Sequence, residues 1–201
     1  MTKAVVAHVA ESINDLKSTD RDRQNYAYQA LLDMTAERVD WAYEVWDDLL
    51  RLTAKGDNRQ RSIAGQLLSN LAKSDPEARI IRDAERLIAV TRDERFVTAR
   101  HVLLSLWKIA VVGNRQRKAI VDGLVRRFKE CTVEKNCTLI RCDIQCVFKK
   151  IYEVTADKSL RSTAEQLISL EDDAKYRKKY ATVWRSAAPV RADALSREME
   201  Y

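Results

Sequence analysis

Glycine and proline are scarce, with 4 and 2 residues in a chain of 201. A sheet protein needs Gly, Pro and Asn at its many turns, so this scarcity argues against a β architecture. No Gly-rich loop exists, which excludes a P-loop or a dinucleotide-type phosphate cradle as far as local sequence reaches. Histidine is equally sparse, with only His8 and His101. Neither has a nearby Cys or a second His to complete a metal site or a nucleophile–base pair. Long apolar runs are missing too. No stretch approaches the ~20 residues a membrane span needs, and the run Ala4-Val5-Val6-Ala7 is too short for a signal peptide. These absences lead to the expectation of a soluble cytoplasmic protein without membrane contact, its four cysteines held as reduced thiols.

What the chain does contain is apolar and charged residues in close alternation. Hydrophobic residues make up 46% and charged residues 33% of it. That combination suits long helices with one buried and one solvated face. From Asp40 to Ala54, Trp41, Val45, Leu49 and Leu52 fall on one helical face. Asp20, Asp57, Pro76, Asn114 and Asp157 punctuate helix starts, and Gly56 and Gly113 mark stops. The spacing predicts about ten helices, over 3–17, 20–37, 39–54, 57–74, 76–91, 94–112, 114–130, 136–155, 157–170 and 171–187. Their short links make sequential helices antiparallel neighbours.

One pattern repeats along the chain: a polar residue followed by apolar positions at +3, +6, +7 and +10. It reads Gln24, Ala27, Ala30, Leu31, Met34, then Arg61, Ala64, Leu67, Leu68, Leu71. It recurs as Arg100, Leu103, Leu106, Trp107, Ala110 and as Arg141, Ile144, Val147, Phe148, Ile151. The copies begin 37, 39 and 41 residues apart, the length of a two-helix unit. A fifth, shorter copy, Arg161, Ala164, Leu167, Ile168, follows the fourth after only 20 residues, so the phase shifts there. A helix with a single apolar stripe cannot bury it alone. Pairs form, the pairs stack, and small residues such as Ala27, Ala64 and Ala164 let them approach.

The arrangement Asp-x-x-x-Arg-x-x-Ala-x-x-Leu-[Leu/Ile], carried by Asp57/Arg61 and Asp157/Arg161 and more weakly by Asp20/Gln24, resembles the second helix of a HEAT repeat. The resemblance covers about 1–170. It implies an all-α fold, an α–α superhelix (a HEAT/armadillo-like solenoid) of about ten helices in four to five antiparallel pairs. It also implies a structural ladder of turn aspartates and helix arginines, to which Asp57, Arg61, Arg100, Arg141, Asp157 and Arg161 would belong. Phe96 and Cys137 stand at the acidic position before Arg100 and Arg141, where the ladder would break. A single repeat domain over 1–187 is expected, with a short mobile tail over 188–201.

Chemistry-bearing constellations are weak. Cys131, Cys137, Cys142 and Cys146 lie within 16 residues, yet no pair has the two-residue separation of a zinc knuckle. Buried packing is the favoured role for them, and neither a metal nor a cofactor is expected. Glu171-Asp172-Asp173 precedes a basic segment, acid before base as a helix dipole favours. Tyr176, Tyr180 and Trp184 form an aromatic stripe suited to capping the last repeat. No catalytic set emerges.

Charge is uneven. Residues 1–55 carry 10 acidic and 7 basic side chains, and residues 113–170 carry 12 basic and 7 acidic. The leading expectation is therefore a non-catalytic scaffold that binds a protein partner, one of acidic character, through a concave face lined by second helices. The stripe register nominates Tyr28, Gln29, Gln66, Ser69, Ser105, Lys108, Gln145 and Lys149 for that face. The alternative is nucleic-acid binding through the basic 113–170 region. Trp41, Trp46, Trp107 and Trp184 would then invite comparison with HEAT-like DNA alkylpurine glycosylases, although no motif of that family is matched. No small-molecule substrate is indicated.

Overall fold

The computed structural model describes residues 3–189. Among them there are helices and turns but no strand. In chain order the α-helices are α1 (Lys3–Leu16), α2 (Arg21–Met34), α3 (Ala42–Lys55), α4 (Asn58–Leu71), α5 (Arg79–Val90), α6 (Phe96–Ser105), α7 (Trp107–Ala110), α8 (Asn114–Glu130), α9 (Cys137–Thr155), α10 (Lys158–Ser169) and α11 (Ala174–Val183). Among the described residues, no helix is long and apolar enough to cross a membrane. The expected tail falls largely on residues 190–201, outside those described.

The helix starts are chemical. Asp20 accepts from the backbone N–H groups of Asp22 and Arg23. Asp57 accepts from Gln60, and the Gln60 side chain bonds the Asp57 N–H in return, a full capping box. Asp157 and Asp173 cap α10 and α11 more simply, accepting from the N–H groups of Ser159 and Lys175. Pro76 departs from expectation. It lies in the turn before α5 rather than in its first helical turn, and Ala78 precedes the helix in the left-handed region at φ 53°. The cap comes from Asp75, whose carboxylate accepts from the N–H groups of Arg79 at 2.9 Å and Ile80 at 2.7 Å. The single helix expected over 94–112 is broken at Leu106 into α6 and α7. Ser105 Oγ donates to the Val102 carbonyl at 2.7 Å, a back-bond that loosens the helical ladder, and Leu106 N–H turns to the Leu103 carbonyl instead.

The chain divides into two compact units, Met1–Ile120 and Val121–Tyr201. In the first, α1 packs on α2, α3 on α4 and α5 on α6, and these hairpins stack in two layers. One layer is α1, α3, α5 and the other is α2, α4, α6. The repeat stripe faces the space between layers: Ala27, Leu31, Ala64, Leu67, Leu68, Leu71, Leu103, Leu106 and Ala110 are all buried. Ala30, Met34 and Trp107, expected inside, are only half-buried. Trp46 is fully buried in the first layer, where its indole Nε1 donates to Asp83 at 2.9 Å and ties α3 to α5.

In the second unit, α9 packs against α10 and α11, and α10 against α11. Ile144, Val147, Phe148 and Ile151 of α9 meet Leu160, Ala164 and Leu167 of α10 in its core. The fourth and fifth stripe copies thus lie on consecutive helices, which accounts for their 20-residue spacing. Tyr180 and Trp184 of the aromatic stripe are buried here, Tyr180 edge-on to Phe128 and Trp184 donating to Gln145 at 2.9 Å.

Candidate functional site

The first residue of three stripe copies does one job. Gln24 donates to the carbonyls of Leu16 and Ser18, Arg61 to that of Gly56, and Arg141 to that of Phe128. Each ties a helix to the carbonyl-rich end of the helix or turn before it, where acceptors lack intrahelical donors. The acids expected of a ladder are arranged around this. Asp57 meets Arg21 at 3.4 Å, and Arg61 holds Asp93 through two bonds of 2.5 and 3.0 Å; both pairs join adjacent hairpins. Burial alone would raise the Asp93 carboxyl, but the Arg61 guanidinium and the Arg95 N–H outweigh it and lower it. Arg141 pairs with Glu171 at 2.8 Å rather than with an aspartate at the turn. Arg161 forms an exposed pair with Glu165 within its own helix, Asp157 serves as a cap, and Arg100 is exposed.

A groove of about 600 Å³ runs across the N-terminal halves of α2, α4 and α6. Its floor is a continuous hydrogen-bonded strip. Tyr28 Oη donates to Gln66 Oε1 at 2.9 Å, Gln66 Nε2 donates to Ser62 Oγ at 3.2 Å, and Ser62 Oγ meets His101 Nδ1 at 3.2 Å. Thr98 Oγ1 donates to the Asn58 carbonyl at 2.8 Å beside it. The lining adds Arg21, Asn25, Gln29 and Arg59, and it contains no carboxylate. Burial raises the Tyr28 phenol, partly countered by the nearby Arg59 charge. Arg59 bonds Asn25 through one terminal nitrogen, while its buried Nε–H has no hydrogen-bond partner among the described residues.

Of the residues nominated from sequence, Tyr28, Gln29 and Gln66 line this groove. Ser69 and Ser105 do not. They are buried and face each other at 2.9 Å between α4 and α6. Gly65 explains why: a Cβ there would stand 2.6 Å from Val102 Cγ2, so the bare α4 backbone packs directly onto the Val102 side chain of α6. The helices therefore close at the serines and open one to two turns earlier. Gln145 is fully buried, taken by Trp184 and the Ala164 carbonyl, which removes it from any binding face. Lys108 is half-buried and donates to Asn70, which in turn donates to Thr35 at 3.1 Å; burial and the Lys73 charge lower its ammonium pKa. Lys149 is half-buried beside Glu153 and Ser186.

Sequence reasoning missed His101 and Ser62, which lie 39 positions apart and meet only in the fold. A Ser–His contact has the outline of a nucleophile and its base. Here Ser62 is buried and also bonded by Gln66, and among the described residues no carboxylate orients His101. The pair belongs to the strip. A larger hollow of about 700 Å³ lies between α3 and α5, lined by Arg51, Lys55, Arg86 and Arg92 at the helix ends. Cations there complement the carbonyl ends of the two helices.

The second unit holds its own polar cluster. Arg127, fully buried, grips Glu134 through bonds of 2.5 and 2.6 Å. Glu171 accepts from Arg141 and, at 3.2 Å, from Tyr180. Among the described residues, no group of three or more His, Cys, Asp or Glu side chains is placed to hold a metal ion.

No family model and no curated protein sequence matches this chain. Two engineered proteins solved by the Northeast Structural Genomics Consortium are similar in structure. One is 22% identical with a TM-score of 0.49, over 87% of this chain and 77% of its own. The other is 21% identical with a TM-score of 0.48, over 88% of this chain and 46% of its own. Such likeness carries no weight on function, and the fold rests on the helices described above.

Proposed function

We propose that this chain is a non-catalytic helical-repeat scaffold of the HEAT kind that binds a protein partner along the α2–α4–α6 groove. The observation that carries this reading is the lining: amides, hydroxyls, one imidazole, two guanidinium groups and the aliphatic Ile63 and Val97, without a carboxylate. An extended peptide offers a carbonyl and an N–H at every residue. Asn25, Gln29 and Asn58 can both donate and accept, as such a backbone requires. Arg59 biases the choice toward an acidic segment, whereas Arg21 already meets Asp57.

The test is selection of peptides from a random displayed library on the purified chain, followed by affinity measurement on Arg59→Glu and Gln29→Ala variants. Acidic, extended binders that lose tenfold or more in affinity with Arg59→Glu support the reading. Binders indifferent to both substitutions sink it. Nucleic-acid binding is the weaker alternative. Several cations of the basic region are engaged internally: Arg127 and Arg141 in buried pairs, and Lys149 and Arg161 with glutamates one helical turn away. A mobility-shift titration at low salt separates the two.

A further inference from the structure

The four cysteines, unused by the binding groove, form two unlike pairs. Cys131 ends α8 as the first residue of the short 3₁₀ turn Cys131–Val133, and Cys137 opens α9. The turn between them brings their sulfurs to 3.1 Å. It is held in place before any reaction: Glu134 N–H donates to the Cys131 carbonyl at 2.9 Å, Cys137 N–H donates to the Glu134 carbonyl at 3.0 Å, and Glu134 is clamped by Arg127. Cys142 and Cys146 instead share one helix, four residues apart. Helix neighbours at that spacing keep their Cβ atoms about 5–6 Å apart, whereas a disulfide needs about 3.5–4.5 Å. The second pair cannot close without unwinding α9. The first spans a turn that can give.

We propose that Cys131 and Cys137 are a redox-active dithiol that closes to an intramolecular disulfide by exchange with a small-molecule disulfide such as oxidised glutathione. The two sulfurs divide the work by exposure. Cys131 is fully buried, and Cys137 is partly exposed. The Cys137 thiolate attacks one sulfur of the oxidant. An S–S bond forms to Cys137, the oxidant's own S–S bond breaks, and one glutathione thiolate leaves to take up the proton Cys137 gave away. Cys131 then attacks the Cys137 sulfur, and the second glutathione leaves with the Cys131 proton. Two thiols are oxidised, one disulfide is reduced, and two electrons are transferred.

The surroundings favour the second step. In the reduced state burial pushes the Cys131 thiol up to about 12, helped by the hydrogen bond and charge of Cys137. Both contributions from Cys137 disappear once its sulfur is bonded to glutathione. Arg141 and Arg127, whose charges pull the Cys131 thiol the other way, remain. A mixed disulfide at Cys137 therefore eases ionisation of the thiol that resolves it.

The experiment equilibrates the full chain with oxidised and reduced glutathione over a range of ratios, quenches by alkylation, and reads intact mass and non-reduced peptide maps. The expected product has lost two hydrogens, carries two alkylated cysteines, and maps its link to Cys131–Cys137. Cys142→Ser with Cys146→Ser should leave that product unchanged. Cys131→Ser should stop at a glutathione adduct on Cys137, and Cys137→Ser should give no intramolecular link. Four alkylated thiols at every ratio, a link mapped elsewhere, or a wild-type chain that stops at the adduct would each overturn the proposal. The wild-type map decides even if a serine variant fails to fold.

Discussion

Replacing Gly65 with alanine tests whether the α4 backbone packs directly onto Val102 of α6, the contact that sets where the groove opens. In an open helix the substitution would stabilise the chain by about 1 kcal/mol through helix propensity. Here the new methyl would stand 2.6 Å from Val102 Cγ2 and 3.0 Å from Cγ1. Val102 is fully buried, and a β-branched side chain in a helix has essentially one rotamer, so it cannot swing aside. Overpacking of this kind costs about 1–3 kcal/mol, and the severity of this contact places it in the upper half. Gly65→Ala should therefore lose roughly 1–2 kcal/mol net. Val102→Ala alone should lose about 2 kcal/mol of burial. Combined, the clash is gone and the propensity gain returns, so the double variant should lose only about 1 kcal/mol. Urea unfolding followed by helical circular dichroism measures all three. A double variant that loses the sum of the singles within about 0.5 kcal/mol would refute the close contact, as would a stabilised Gly65→Ala.

Two further outcomes are expected. Leu67→Ala and Leu103→Ala, both at buried stripe positions, should each lose about 2–5 kcal/mol in the same assay; a change under about 0.5 kcal/mol at both would show the stripe register to be wrong. Glu171 makes the second unit acid-sensitive. Burial would raise its carboxyl, but Arg141 at 2.8 Å, the Asp173 N–H and the Tyr180 hydroxyl outweigh burial and lower it. A lowered carboxyl stabilises the fold fully above its unfolded pKa of about 4.3 and loses that contribution as pH falls toward the folded value. Glu171→Gln should flatten the stability–pH curve in that window and weaken the fold at neutral pH, where a buried guanidinium is left without its charge partner. Identical acid limbs for the two proteins would count against the pairing.

Much of the fold was readable because it is local. Asp20, Asp57 and Asp157 cap helices since a carboxylate bonds free N–H groups two or three residues onward, a relation that sequence spacing already contains. The stripe Ala64, Leu67, Leu68, Leu71 is buried because its period matches the helix. Some failures were local, at Pro76 and at the Leu106 break; others came where an outcome depended on another hairpin. Ser69 and Ser105 sit at groove-like positions of their own helices, yet the missing side chain at Gly65 lets α4 and α6 close over them. Gln145 looked like surface until Trp184, 39 residues later, claimed it.

From sequence alone came most of the helices, the caps at Asp20, Asp57 and Asp157, the repeat and most of the buried stripe, all consequences of hydrogen bonds and periodicity within about one turn. Tertiary structure alone decided which off-stripe residues are open to a partner. It joined Tyr28, Gln66, Ser62 and His101 into one strip and brought Cys131 onto Cys137. The Tyr28–Gln66 and Ser62–His101 junctions depend on how closely neighbouring helices approach, the Gln66–Ser62 bond lies within α4, and the cysteine contact depends on how a turn folds back. Helix separation is set by side-chain volume across an interface, and one sequence read in order does not say which positions face each other there.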